Sequence, residues 1–164
     1  MRIAIRQAVA VPVGQAIAAY GAPAFYEGRP LRDDIAVREV VSRDDSGDRI
    51  LIEVRFAFTG SVSSAVRAVI DPAKMSWVTR TELYPGQARS AWVVLPDHYP
   101  DRLSASGSYR FAPGDSGPGT TVVTVEGDLR VHVPIVGRSV ERVIASDLRA
   151  YIEDEVSRIP DLAR

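Results

Sequence analysis

The apolar positions of this chain change period once, near its end. From Val140 onward they fall at Val140, Val143, Ile144, Leu148, Tyr151, Ile152, Val156 and Ile159, the i, i+3, i+4 spacing of one stripe on a long α-helix. Arg142, Arg149, Glu153, Asp154 and Arg158 occupy the other face. At ~1.5 Å per residue such a helix reaches roughly 35–40 Å and needs a long apolar surface to lie on. Before it, the period is two. Ile3, Ile5, Val9 and Val11 form the apolar row of a first strand over Arg2–Val11. Gln7 shares that row, either as a satisfied buried amide or as a ligand-facing group. Pro12 ends the strand, and Ala16–Tyr20 and Pro23–Gly28 read as two short helices.

Six more strands follow. Ile35–Ser42 and Arg49–Thr59 pair across the acidic turn Arg43–Asp48, which reads as a solvated turn and not a calcium loop. Ile50, Ile52, Val54, Phe56 and Phe58 face one way and Glu53 and Arg55 the other, so one side of the sheet is wet. Ser61–Ile70 is predicted as a helix with Val62, Val66, Val69 and Ile70 on one face. Lys74–Tyr84 and Gln87–Leu95 pair across Tyr84-Pro-Gly-Gln87, whose Pro and Gly suit a type II turn. Leu103–Phe111 and Thr120–Val133, joined by Pro113–Gly119, complete the set. Gly127 interrupts the row Val123, Val125, Leu129, Val131, Val133 and predicts a bulge or bend. Gly137, before the long stripe, means either that the helix proper starts near Ser139, which can cap it, or that backbone approaches the sheet there. The fold class is α+β: a curved antiparallel sheet of about seven strands, two short helices after strand 1, and a long C-terminal helix gripped by the sheet.

Composition narrows this little. At 164 residues, 46% hydrophobic and 25% charged, the chain is expected to be a single domain over residues 1–164. A formal net charge of -1 gives no basis for a nucleic-acid partner or an anionic membrane. Without cysteine, disulfides and thiolate metal sites are excluded. No apolar run reaches ~18 residues and the start lacks the core of a signal peptide, so a cytoplasmic protein without an integral membrane segment is expected.

The element order, together with Phe58-Thr-Gly60, the strand around Trp77, Leu103-Ser-Ala-Ser-Gly107 and Glu126-Gly-Asp-Leu-Arg-Val-His-Val-Pro-Ile-Val-Gly-Arg-Ser-Val-Glu141, resembles the START-like superfamily, also called SRPBCC, helix-grip or Bet v 1-like. The resemblance covers essentially the whole chain and is closest to a bacterial branch with no assigned chemistry. It implies a cavity between helix and sheet of the kind used for lipids, sterols, polyketides or other apolar molecules, and it brings no catalytic residues.

The inventory for catalysis is thin. HExxH and GxSxG patterns are missing. His132 falls on the outward row with Asp128 and Arg130, and Asp97, His98 and Asp101 are a chance-level metal set in a loop. The Gly114–Gly119 loop leads into a strand, whereas a phosphate cradle needs a helix N-terminus. No cofactor, metal or catalytic residue is expected. A binding cavity asks only for an apolar wall and a few polar anchors. Phe56, Phe58, Trp77, Thr79, Trp92, Tyr109 and Phe111 supply them from the strands, with Thr81 and Ser90 as further anchors, and Val140, Ile144 and Leu148 from the helix. Trp77 and Trp92 fall on opposing arms of one hairpin and are expected near each other. The function expected is binding of a small hydrophobic or amphipathic ligand (lipid, polyketide or similar) by a monomer or weak homodimer. The alternatives are a polyketide-cyclase-type enzyme and a protein-interaction module whose cavity has collapsed into solid core.

Overall fold

The computed structural model describes residues 1–27, 35–68 and 70–164. Its strands are β1 (Arg2–Val9), β2 (Ile35–Asp44), β3 (Ile50–Phe58), β4 (Ser76–Tyr84), β5 (Arg89–Pro96), β6 (Leu103–Gly114) and β7 (Gly117–Val131). Its helices are α1 (Val13–Gly21), α2 (Pro23–Tyr26), α3 (Ser64–Arg67), α4 (Gly137–Ser157) and α5 (Ile159–Leu162). The strands form one antiparallel sheet in the order β1-β7-β6-β5-β4-β3-β2. Strands consecutive in the chain pair with each other from β2 to β7, while β1 crosses to β7. The first two strands therefore sit at opposite edges.

Alternation decides the faces. Val123, Val125 and Leu129 of β7 are buried, while Glu126, Asp128 and Arg130 are exposed. The outer face carries the ion pairs Arg80–Glu53 at 2.8 Å and Arg55–Asp97 at 2.6 Å, which add little stability in water but keep that face wet. The acidic turn after β2 is locally closed, with the Asp44 carboxylate accepting from the Ser46 N–H at 3.0 Å. Among the described residues, no helix is long and apolar enough to cross a membrane.

Four local expectations are corrected. The helix expected over Ser61–Ile70 shrinks to the single turn α3 (Ser64–Arg67), because Ser61, Ser63 and Ser64 compete with the backbone for hydrogen bonds and Val62 is β-branched; Val69 lies outside the described residues, as does Gly28. The β4–β5 connection is not a type II turn. Pro85–Gln87 form a 3-10 turn, and Ala88 takes the left-handed conformation at φ 49°. Gly127 makes no bulge: it pairs in regular register with Ile3 and Gly107. Its reason is Trp92. A Cβ on Gly107 would lie 2.5 Å from the indole and 2.3 Å from the Glu126 carbonyl oxygen, and one on Gly127 would lie 3.0 Å from the indole. The two glycines form a flat patch on which Trp92 rests. Finally, the segment Pro113–Gly119 is mostly strand, with Gly114 opposite Gly117 at φ 107°.

Helix α4 lies over β1 and β7. Gly137 is its first residue, and a Cβ there would stand 2.7 Å from the Val131 carbonyl oxygen; close approach to the sheet, not a Ser139 cap, explains the glycine. Glu141 fastens this end, accepting from the Val131 N–H at 3.1 Å and from the Met1 amino group at 2.7 Å. Ala145, Ile152 and Val156 are buried, and Val140, Ile144 and Leu148 are half-buried beside them. Val143 leaves the stripe: it is 61% exposed and projects with Ser139 and Ser146 from the outer face. The helix breaks at Arg158 because Pro160 has no N–H to continue it. Ile135, just before α4, is fully exposed at φ 68°, with the Val136 N–H donating to the Pro134 carbonyl at 2.7 Å.

Replacing Gly107 by alanine forces backbone or indole to move and is expected to destabilise the protein by at least about 2 kcal/mol in urea unfolding. Ile135→Gly is expected to do the reverse. It removes a left-handed strain of ~1–2 kcal/mol against an unfolded-state entropy cost of ~0.5–1 kcal/mol, and no gain in the urea midpoint would contradict that account. The Glu141 carboxyl is held below the usual carboxylate range by the Met1 amino group and then by the Val131 N–H. Its stabilisation is present above the unfolded-state value and lost as pH falls through the lower folded-state value. Glu141→Gln should therefore lower the melting temperature at neutral pH, with the gap to wild type closing in acid; a gap independent of pH would contradict a charge-based hook.

Candidate functional site

The inner face of the sheet meets α1, α2 and the C-terminal half of α4. α1 is a short helix whose Ala16, Ile17, Ala19 and Tyr20 are buried, and Gly21 lets its end close onto Leu83, whose side chain would stand 2.8 Å from a Cβ there. Pro23 restarts the chain as α2 and turns Phe25 and Tyr26 inward. Tyr20 is the hub, with ring-centre distances of 4.9 Å to Tyr109, 5.1 Å to Phe25, 5.3 Å to Phe111 and 6.0 Å to Tyr26. Its hydroxyl accepts from the Ser90 hydroxyl at 3.1 Å. A second aromatic group stands toward β2: Phe56 stacks on Trp77 at 5.4 Å and meets Tyr151 edge-on at 6.2 Å.

Between the two groups lies a charged pair. Arg38 of β2 donates to Glu155 of α4, and the side chains are 2% and 8% exposed. Arg38 also donates to the Phe25 carbonyl at 3.0 Å and lies 5.5 Å from the centre of the Tyr151 ring. The Tyr151 hydroxyl donates to Glu155 at 2.7 Å. Burial pushes the Glu155 carboxyl above its ordinary range, with Arg38 opposing. Burial likewise pushes the hydroxyls of Tyr20, Tyr26 and Tyr109 upward, and the negative charge of Glu155 adds to it. All are neutral donors near pH 7. Four buried polar atoms have no hydrogen-bond partner among the described residues: Tyr26 Oη, Arg38 Nε, Arg38 Nη1 and Trp92 Nε1. Tyr26 faces Tyr20 closely enough to influence its ionisation without a hydrogen bond of standard geometry. Two open depressions, of about 370 and 280 Å3, lie elsewhere: one along Val93–Pro96, Pro100, Leu103–Ser106, Asp128 and Arg130, the other at Ala68, Arg102 and His132–Pro134.

A family model described as "Protein of unknown function (DUF2505)" matches residues 4–160. The chain belongs to this family. No curated protein matches its sequence. Its fold is START-like, of the helix-grip kind, and solved structures with that fold cover almost all of it. Norcoclaurine synthase from Thalictrum flavum is 16% identical, with 97% of this chain and 85% of that one covered and a TM-score of 0.64. Zhui aromatase/cyclase from Streptomyces sp. R1128 is 12% identical over 100% and 94%, with a TM-score of 0.59. A START superfamily protein from Mycobacterium smegmatis is 17% identical over 98% of both chains, with a TM-score of 0.54.

Within this DUF2505 structure the residues singled out from sequence separate. Tyr109 and Phe111 join the Tyr20 group, and Phe56 and Trp77 the group near Arg38. Trp92 is buried over the two glycines, opposite Thr81, whereas Trp77 lies opposite Pro96; the tryptophans are not neighbours on the ladder. Thr79 is half-buried between Val54 and Val94, Phe58 is half-buried at the end of β3, and Val140, Ile144 and Leu148 are half-buried on α4. Gln7, in the inward row, is half-buried as well. His98 and His132 are exposed, and the Asp97 carboxylate is taken by Arg55 and by the Ser76 hydroxyl at 2.6 Å. Sequence reasoning missed Tyr20, Phe25, Tyr26, Arg38 and Glu155. One signal was available: Glu155 stands four residues after Tyr151 and next to Val156, inside the apolar stripe, where a carboxylate needs a buried partner.

Breaking that pair from one side strands the other charge, so Arg38→Met and Glu155→Leu are each expected to cost about 3–5 kcal/mol in urea unfolding. The double variant should cost clearly less than the sum of the two. Additive losses would mean the two residues act independently.

Proposed function

We propose that this protein binds a small amphipathic molecule between the sheet and α4, enclosed by Tyr20, Tyr26, Phe56, Trp77, Trp92, Tyr109 and Phe111, with Thr79, Phe58, Val140, Ile144 and Leu148 at the margin of the space. The observation that carries this reading is the set of buried polar atoms left without partners at Tyr26, Arg38 and Trp92. Native interiors rarely leave such groups unpaired, and a solid structural core would be expected to fill these positions with aliphatic side chains. The aromatic surroundings suit a flat or partly aromatic ligand. A related fold offers a precedent, since the norcoclaurine synthase of Thalictrum flavum is solved in complex with dopamine and hydroxybenzaldehyde. The Tyr20, Tyr26, Arg38 and Glu155 side chains are buried, so a ligand reaching them requires α4 or the α1–α2 segment to move off the sheet. Burial of apolar ligand area, at ~25 cal/mol per Å2 before ordering costs, drives association.

A second reading is favoured by Glu155. A buried carboxylate with a raised proton affinity, hydrogen-bonded by Tyr151, is a candidate acid–base group for an enzyme of polyketide-cyclase type. Such an enzyme would work by positioning a reactive chain and not by a covalent nucleophile.

Native mass spectrometry of protein purified from its own host is expected to reveal a co-purified small molecule, and adding lipids or polyketide-like aromatics to ligand-stripped protein should change tryptophan fluorescence. A clean apo mass with no fluorescence change across that panel would contradict binding.

A further inference from the structure

The hydrogen-bonding account of the interior is lopsided. Its bonded acceptors are few: Glu155 Oε1 takes both Arg38 and Tyr151, the Phe25 carbonyl takes Arg38, and the Tyr20 hydroxyl takes Ser90. The buried side-chain atoms without a partner among the described residues can all donate. Arg38 Nε, Arg38 Nη1 and Trp92 Nε1 carry only N–H groups, and the fourth unpartnered atom, Tyr26 Oη, can donate as well as accept. Arg38 and Tyr26 belong to one locality, since the Arg38 guanidinium is bonded to the carbonyl of Phe25, the residue before Tyr26. The Arg38 side chain is 2% exposed and Tyr26 is buried, so bulk water does not serve these groups. We propose that the polar end of the ligand is an sp2 oxygen acceptor, a ketone or carboxylate oxygen, received by Arg38 and Tyr26, while its apolar body lies against the aromatic groups on either side.

The inference rests on the ligand-binding reading and narrows it. An ammonium group would face the Arg38 cation and offer donors to donors. A plain hydrocarbon would leave every unpartnered N–H as it is. A ketone oxygen satisfies one or two of them without adding charge, and a carboxylate satisfies more but brings a second anion beside Glu155. Both belong to the proposed class, and their order reports how far Glu155 offsets the Arg38 charge.

The test uses four probes with one common body: 2-acetylnaphthalene, 2-naphthoate, 2-(aminomethyl)naphthalene and 2-methylnaphthalene. Their affinities for the ligand-stripped protein are measured by equilibrium dialysis. The ketone or the carboxylate is expected to bind about tenfold or more tightly than the amine and the hydrocarbon, as a site built for hydrogen bonding rejects analogues that lack the group. Arg38→Lys keeps a cation beside Glu155 but removes the spare guanidinium donors. Tyr26→Phe removes one hydroxyl and nothing else. Each is expected to shrink severalfold the ratio of ketone or carboxylate affinity to methylnaphthalene affinity. Equal binding of all four probes, or tightest binding of the amine, overturns the acceptor inference and leaves the ligand-binding reading standing. No binding of any probe removes both. A preference that persists undiminished in both variants would place the acceptor elsewhere and overturn the assignment to Arg38 and Tyr26.

Discussion

The Arg38–Glu155 ion pair is the buried contact that joins α4 to the β2 edge of the sheet. The sheet has two edges, β1 and β2. α4 is laid on the β1 side, where Gly137 and Glu141 bind it to the end of β7. Eighteen residues on from Gly137, the same helix meets β2 at the opposite edge through Glu155. The pair can form only if the sheet curls enough to bring its far edge round to the helix. Because both side chains are removed from water, neither charge tolerates separation from the other. The Phe25 carbonyl and the Tyr151 hydroxyl join the pair, so α2, α4 and β2 are held at one point.

That arrangement accounts for what is unusual inside. An aliphatic core would be satisfied by the stripe on α4 and the valines of β7 alone. Instead α1 and α2 add Tyr20, Phe25 and Tyr26 on the inner face of the sheet, and Tyr26, Arg38 and Trp92 hold buried donors without partners among the described residues. Trp92 reaches its place because Gly107 and Gly127 remove the two Cβ atoms beneath it. Bulk is supplied on one strand and withheld on the next two. Aromatic walls with a few polar groups are the usual composition of a small-molecule site, and the proposed binding rests on that likeness.

Much of this was legible in the sequence, and for identifiable reasons. Period-two alternation in β3 and β7 and the stripe on α4 reflect burial on a single face, which periodicity reports directly. Failures cluster where tertiary contact overrides local preference. Gly127 looks like a bulge until the indole of a non-adjacent strand is placed over it. Tyr84-Pro-Gly-Gln87 carries the residues of one turn type and adopts another because Ala88 absorbs the positive φ. Arg38 was hidden because β2 shifts register twice, between Ile35 and Val37 and between Val40 and Ser42, which breaks the alternation that would assign its face. Glu155 stands inside the apolar stripe, but with Glu153 and Asp154 just before it in the sequence it reads as one more surface charge. Neither residue is interpretable without the other, and they stand more than a hundred positions apart.

The most direct test of the account is a high-resolution crystal structure of the protein purified from its own host, read at Arg38 and Tyr26. The account predicts continuous density for a small organic molecule with an oxygen within hydrogen-bonding distance of the spare Arg38 nitrogens. Ordered water alone satisfying Arg38, Tyr26 and Trp92, with the aromatic groups closed on one another around it, would contradict it.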